Sequence, residues 1–283
     1  MAMTEKEKFE LDLNGLFIRE AILSKDEIAE ISEQLRRITY DPKSLPPHER
    51  GIPGGPSSLL IDHPRVIDVL QEVISPLVRI DKVIPLWREK GWHGTSDVHG
   101  AGVLDPLINY WVGPDGKIRT PMMAVIFELT DIHHGDGATR FMPGSHKLNY
   151  PIPRGRESWD ALEPYLRDYE CPAGSAVFFT EALKHGGPIW QRPEPRKAIL
   201  HTYANVALCW HRLAWIDQEI LDGLPPHKAA YFREPWVMDL RGTKLRRPTV
   251  VNSVDYYVKQ EREAPRSKGW LIDDDEEWWP EGS

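Results

Sequence analysis

Cysteine is nearly absent from this chain: Cys171 and Cys209 are its only two. Two thiols cannot build a disulfide framework or a cysteine-rich zinc site, and they suit a reducing, cytoplasmic setting. Long apolar runs are missing as well. No stretch approaches the roughly 18 residues that cross a bilayer, and the opening MAMTEKEKFE carries no apolar signal segment, so no membrane association is expected. An excess of basic charge is also lacking. With 35 Lys and Arg against 43 Asp and Glu, the formal balance is −8, which argues against the broad positive surface of a nucleic-acid polymer binder. There is no His-Glu-x-x-His pattern of a zinc hydrolase. No internal repeat is visible.

Proline and tryptophan are abundant. The chain has 25 prolines, where average usage gives roughly 14 in this length, and 11 tryptophans. Many prolines break a chain into short elements, which favours a β-rich or mixed fold over a helical bundle. The run GLFIREAIL, Gly15 to Leu23, reads as a short strand. Ser24-Lys25-Asp26-Glu27 then has capping-box spacing, with Ile28, Ile31, Leu35 and Ile38 following at helical intervals. A proline- and glycine-rich loop spans Tyr40 to Pro56, and a second helix is predicted from Pro64 with Val66, Ile67, Leu70, Val73 and Ile74 buried. Short β-type runs follow at Val78 to Trp87, Met122 to Thr130, Thr139 to Met142, Ala176 to Phe179 and Ala198 to Cys209. A short helix between strands is read in Ser158 to Tyr169, and no pattern is assignable after Trp210. Regular βαβ alternation is absent, so a mainly β jelly roll with accessory helices is expected over residues 1–272. Residues 273–283 hold six acids and no base and read as a solvated acidic tail. The rest of the chain is then nearly balanced, and an anionic ligand stays open.

Eleven histidines are raw material for a metal site, although most histidines are not ligands. Those flanked by glycine and adjoining strands stand out, since glycine lets backbone and ligand approach closely. They are His93 and His99 in GWHGTSDVHGAG, His133 and His134 in DIHHGDGATRF, and His185 in FFTEALKHGGPIW. Arg196 follows His185 at the start of RKAILHTY. A guanidinium there can pair bidentately with a carboxylate between strands, or lie on the surface at a strand start.

The segment FELTDIHHGDGATRFMPGSHK, Phe127 to Lys147, with its Pro143-Gly144-Ser145-His146 box, resembles the central block of phytanoyl-CoA dioxygenase-like proteins. GLFIREAILSKDEI resembles the opening strand and helix of that family, and GSAVFFTEALKHGGPIW with RKAILHTY resembles its distal-histidine block. The resemblance runs from about Gly15 to Trp210. It implies a double-stranded β-helix in which two histidines and a carboxylate hold Fe(II), with 2-oxoglutarate and dioxygen as cosubstrates. By resemblance, His185 is the distal iron ligand and Arg196 anchors the far carboxylate of 2-oxoglutarate. The first histidine is expected upstream of Met122 in a His-x-Asp or His-x-Glu pair.

Here the sequence departs from the pattern. His99-Gly100-Ala101 has alanine in the carboxylate position, and His93-Gly94-Thr95 has threonine. His99 is preferred, because its glycine-rich surroundings and Asp105-Pro106 resemble a His-Gly-Gly subgroup. His134-Gly135-Asp136 is the one upstream His-x-Asp, but it lies in the turn before the Pro-Gly-Ser-His box. An iron lacking the protein carboxylate has a position that chloride can fill. The leading expectation is therefore C–H chlorination of a small molecule, with Ala101 marking the halide position. The alternative is a hydroxylase or dioxygenase whose carboxylate comes from Glu181, Asp97, Asp105 or Asp136. A non-catalytic jelly-roll binding protein is a further alternative, set against the joint presence of His99, His185 and Arg196. Lys117, Arg119, Arg154 and Arg156 lie among aromatics in the segments Asn109 to Thr120 and Tyr150 to Trp159. They are candidate contacts for an anionic substrate, or ordinary rim residues.

Overall fold

A computed structural model of the chain describes residues 3–92, 96–100, 107–211, 216–233 and 235. The expected capping box forms: Ser24 Oγ accepts from the Glu27 amide at 3.3 Å, and the Glu27 carboxylate accepts from the Ser24 amide at 2.8 Å. It starts α2 (Lys25–Tyr40), which buries Ile31 and Leu35. Pro64 occupies the first turn of α3 (Pro64–Val73), where its missing N–H costs nothing, and the expected apolar face is buried through Val66, Ile67, Leu70 and Val73. Another helix, α1 (Glu5–Asn14), has no apolar stripe to announce it. It buries Leu11 alone and is fixed by a second capping box, Thr4 with Glu7.

Strand β1 (Leu16–Arg19) leads from α1 into a five-stranded antiparallel sheet. The other members are β2 (Val78–Arg88), β6 (Met122–Glu128), β8 (Ala176–Thr180) and β10 (Arg196–Asn205), in the order β1-β8-β6-β10-β2. A three-stranded sheet, β3 (Ser96–His99), β9 (His185–Gly187) and β7 (Arg140–Phe141), lies over it in the order β3-β9-β7. The segment Asn109 to Thr120 contains the small hairpin β4 (Trp111–Val112) and β5 (Ile118–Arg119). The helix read in Ser158 to Tyr169 is α4 (Trp159–Leu162) and a 3-10 turn. Residues near the end of the described chain form two short helices, α5 (Gln218–Asp222) and α6 (Pro226–Ala229). The architecture is a jelly roll with accessory helices; the 273–283 tail lies outside the described residues.

Strand alternation divides the side chains of the large sheet between two cores. Met123, Val125 and Phe127 of β6, with Ile199 and Tyr203 of β10, pack on α2 and α3. Ala124, Ile126, Val177, Phe179 and Ala198 point the other way, toward Phe141 of the small sheet. At roughly 1.5–3 kcal/mol for each large apolar side chain buried, the outer core holds the helices and the inner one closes the jelly roll. A bulge at Asp81 interrupts the β2–β10 register. Its buried carboxylate accepts from Arg79 at 2.9 Å, from the Trp210 amide at 2.9 Å and from His211 Nδ1 at 2.7 Å.

The Pro-Gly-Ser-His box is structural. Gly144 takes φ +79°, a left-handed turn that a Cβ disfavours. The turn sends His146 into the interior, where its ring meets Tyr110 edge-on at 4.6 Å and its Nε2–H donates to the Asp12 carbonyl at 3.1 Å. Ser145 Oγ accepts from the Lys184 amide at 2.8 Å. One box thereby ties the end of α1 to the start of β9.

Burial holds the His146 imidazole down to about 4, and burial likewise holds His201, which lies between Phe127 and Tyr203, down to about 3. Both stay neutral in the fold but accept a proton when unfolded, near 6.5. The native-state advantage is complete above that value and is lost as pH falls from 6.5 through about 4 and then about 3. Urea unfolding at pH 5 should show stability lower than at pH 7 by about 2 kcal/mol for each histidine, and a smaller drop in His201→Phe. Equal stability at both pH values would contradict this account.

Candidate active site

The two histidines singled out by sequence stand opposite each other. His99 ends β3 and pairs in register with His185, the first residue of β9. Their ring centroids are 4.3 Å apart with planes tilted by 56°. His99 Nδ1 lies 2.7 Å from the Asp97 carbonyl, and His185 Nδ1 lies 2.8 Å from the Leu183 carbonyl. A carbonyl oxygen can only accept, so each Nδ1 carries the hydrogen. Both rings are thereby fixed in the tautomer whose Nε2 lone pair is available to a metal, with the backbone supplying the orienting bond.

The surroundings keep His185 in place and uncharged. Phe179 and Phe141 contact its ring at centroid distances of 4.7 and 6.2 Å. Burial, reinforced by His99, holds its imidazole down to about 3, and the neutral form is the one that ligates. Gly100 lets β3 approach β9: its φ is +126°, and a Cβ there would fall 2.4 Å from the Leu183 carbonyl oxygen. The Lys184 ammonium donates to the Gly100 carbonyl.

Arg196, at the start of β10, is fully buried and forms an ion pair with the equally buried Glu128. The Tyr169 hydroxyl donates to Glu128 and accepts from Arg196 Nη2 at 3.0 Å. Burial alone would lower the guanidinium pKa, and the Glu128 carboxylate more than reverses this. Arg88 stands directly opposite Arg196 in the β2–β10 register. Glu128, Tyr169 and Arg88 were not singled out from sequence. The one signal was an acid closing the apolar strand MMAVIFE, at a position whose alternation aims it inward with Ala124 and Ile126.

The remaining candidates scatter. His134 is exposed and pairs with Asp168 at 3.0 Å, while Asp136 folds back on the His133 amide at 2.8 Å and on Arg192 at 3.4 Å. The turn thus spends its own carboxylate. Glu181 is partly buried and accepts from Thr202 Oγ1 at 3.2 Å. Burial raises its carboxyl pKa, against the opposing pull of Thr202, His99 and Lys82. Asp97 is exposed, and its backbone carbonyl orients His99. Arg119 closes its own hairpin by pairing with Asp115 at 2.6 Å and covering Trp111. Arg154 is exposed, and Arg156 lines a groove of about 830 Å³ with Tyr150, Leu162 and Tyr165. His93, Ala101 and Asp105 lie outside the described residues. Among the described residues, no group of three or more His, Cys, Asp and Glu is placed to hold a metal. No described helix is long and apolar enough to cross a membrane.

Removing one member of a buried ion pair strands the other. Glu128→Ala is therefore expected to lower stability by about 3–5 kcal/mol in chemical denaturation. A loss below about 1 kcal/mol, the range of exposed pairs, would show that the pair is not desolvated.

Comparison with known proteins places the chain in a family. The phytanoyl-CoA dioxygenase family (PhyH) matches residues 11–198. An ectoine dioxygenase from Streptomyces coelicolor is 26% identical over 232 residues, covering 69% of this chain and 76% of the relative. The fold is shared with HygX from Streptomyces hygroscopicus, solved with nickel and 2-oxoglutarate, at a TM-score of 0.63 and 22% identity over 75% of this chain and 90% of that one. It is also shared with EctD from S. alaskensis, solved with 2-oxoglutarate and 5-hydroxyectoine, at a TM-score of 0.55 and 17% identity over 72% and 77% of the two chains. The matched segment contains both the facing histidines and the Glu128–Arg196 pair, and the chain belongs to the phytanoyl-CoA dioxygenase family and is an oxygenase.

Proposed function

We propose that this oxygenase uses Fe(II) and 2-oxoglutarate to hydroxylate a C–H bond of a small molecule. The observation that carries the reading is the pair His99 and His185, held at opposed strand positions with both Nδ1 hydrogens committed to backbone carbonyls. Two imidazoles whose Nδ1 hydrogens are held by the backbone, leaving Nε2 to a ligand, suit Fe(II), so the residues present fit the metal. The name of the ectoine dioxygenase relative and the ligands solved in HygX support the same chemistry. Iron with 2-oxoglutarate supplies the oxidising power from dioxygen.

The rest of the work falls to the chain. His99 and His185 bind the metal, and Ser145 steadies the amide next to His185. Phe141 and Phe179 cover one side of the buried ring and keep water from it. For the carboxylate, Asp136 is held by Arg192, Glu181 accepts from Thr202 and forms no group of three with the two histidines, and Asp105 lies outside the described residues. Arg196 remains the expected partner of the far carboxylate of 2-oxoglutarate. An anionic substituent on the substrate would look to Arg154 and Arg156, because Arg119 is committed to Asp115. Ala101 supports chlorination as a second reading, for which chloride would be a further ligand.

Anaerobic addition of Fe(II) and 2-oxoglutarate is expected to produce a charge-transfer absorption band that His99→Ala and His185→Ala each abolish and His134→Ala retains. Chloride should leave the band unmoved. A chloride-dependent shift that Ala101→Asp removes would establish the second reading instead, and a band that survives both histidine variants would overturn the site.

A further inference from the structure

The two facing histidines are not held equally. His185 is firmly placed: its strand β9 is the middle member of the small sheet, and its ring packs on Phe179 and Phe141. The residue before it is clamped through its backbone. The Lys184 amide donates to Ser145 Oγ at 2.8 Å, and the Lys184 carbonyl accepts from the Met142 amide at 2.8 Å. His99 has less support. It is exposed, it ends the edge strand β3, and the β3–β9 register shifts between Ser96 and His99. A short edge strand with an interrupted ladder is weakly specified in its pairing. A metal shared by two imidazoles needs both rings placed to within about 0.5 Å.

One side chain spans the difference. Lys184 reaches out from its clamped backbone and donates its ammonium to the Gly100 carbonyl. The bond therefore joins the residue before His185 to the residue after His99. Gly100 keeps the crossing short: an added Cβ would fall 2.4 Å from the Leu183 carbonyl oxygen and 3.1 Å from the Lys184 Cα. Lys184 is half-buried, and a charged donor on a carbonyl makes a stronger bond than a neutral one, more so away from water. A lysine serving solubility alone would extend its ammonium into solvent.

We propose that Lys184 is a positioning residue for the metal site, whose ammonium keeps the β3–β9 pairing closed at its His99 end and so holds His99 opposite His185. The inference rests on the reading that these two histidines bind the metal, and it adds the residue that secures their pairing. The direction of its effect separates this role from that of a nearby charge. An ammonium close to a divalent cation repels it, so a bare charge at Lys184 lowers metal affinity. A link between the strands raises affinity, because the end of β3 is ordered before the metal arrives.

The test is calorimetric binding of Ni(II) alone to the whole chain. Lys184→Leu keeps an apolar stem and removes the donor. It should weaken Ni(II) binding by about tenfold to a hundredfold, as loss of a partner that orients a metal ligand does. Lys184→Gln, shorter and uncharged, is the second variant with the same expectation, and Lys184→Arg, which keeps a charged donor, should recover most of the loss. In a His99→Ala background, Lys184→Leu should change the residual affinity by less than about twofold, since no second imidazole remains to be placed. A loss of equal size in both backgrounds, as general destabilisation would give, overturns the inference. Unchanged or tighter Ni(II) binding in Lys184→Leu and Lys184→Gln overturns it too, the tighter result marking a bare charge effect. Wild-type affinity that survives both His99→Ala and His185→Ala overturns the two-histidine site itself, and the role of Lys184 with it.

Discussion

The site depends on one short antiparallel pairing, that of His99 with His185 across β3 and β9. A β ladder fixes directly opposed side chains within a few ångströms of each other, so two imidazoles placed at paired positions need no further device to converge. What they need is orientation, and each obtains it from the carbonyl two residues earlier in the chain. The surrounding features keep this pairing in place. Gly100 permits the close approach, Ser145 holds the amide of Lys184, and the inner apolar core supports the ring of His185 through Phe179.

A second constraint is electrostatic. The inner face of the large sheet ends in Arg88, Arg196 and Glu128, three charges side by side in a desolvated space. A buried cation is tolerated when paired and is costly when not. The pairing of Arg196 with Glu128 therefore compensates a charge that burial would otherwise make costly.

Much of this organisation was legible in the sequence, for reasons that differ from element to element. The capping box at Ser24 and the apolar stripe of α3 are local signals and appear where their spacing puts them. Long apolar strands such as β6 and β8 are equally plain. Helix α1 was missed because a single buried leucine leaves no periodicity to read. Strand β9 was missed because it is three residues long and two are glycine, so His185 was expected after a strand rather than on one. The histidine pair was accessible through glycine context and family resemblance. Glu128, Tyr169 and Arg88 were not, since their partners lie on other strands and at sequence separations of 27 to 68 residues for the two that bond to Arg196. The expectation of chlorination came from one alanine outside the described residues, whereas the family match and the dioxygenase relatives support oxygenation.

The claim on which the account turns is that one metal ion is held by the Nε2 atoms of His99 and His185. Iron K-edge X-ray absorption on the anaerobic Fe(II)- and 2-oxoglutarate-loaded protein measures this directly. The account predicts one iron per chain, with the scattering of two imidazole rings and the remaining ligands oxygen. A spectrum that shows no imidazole scattering, or one that is unchanged by His185→Ala, would contradict it.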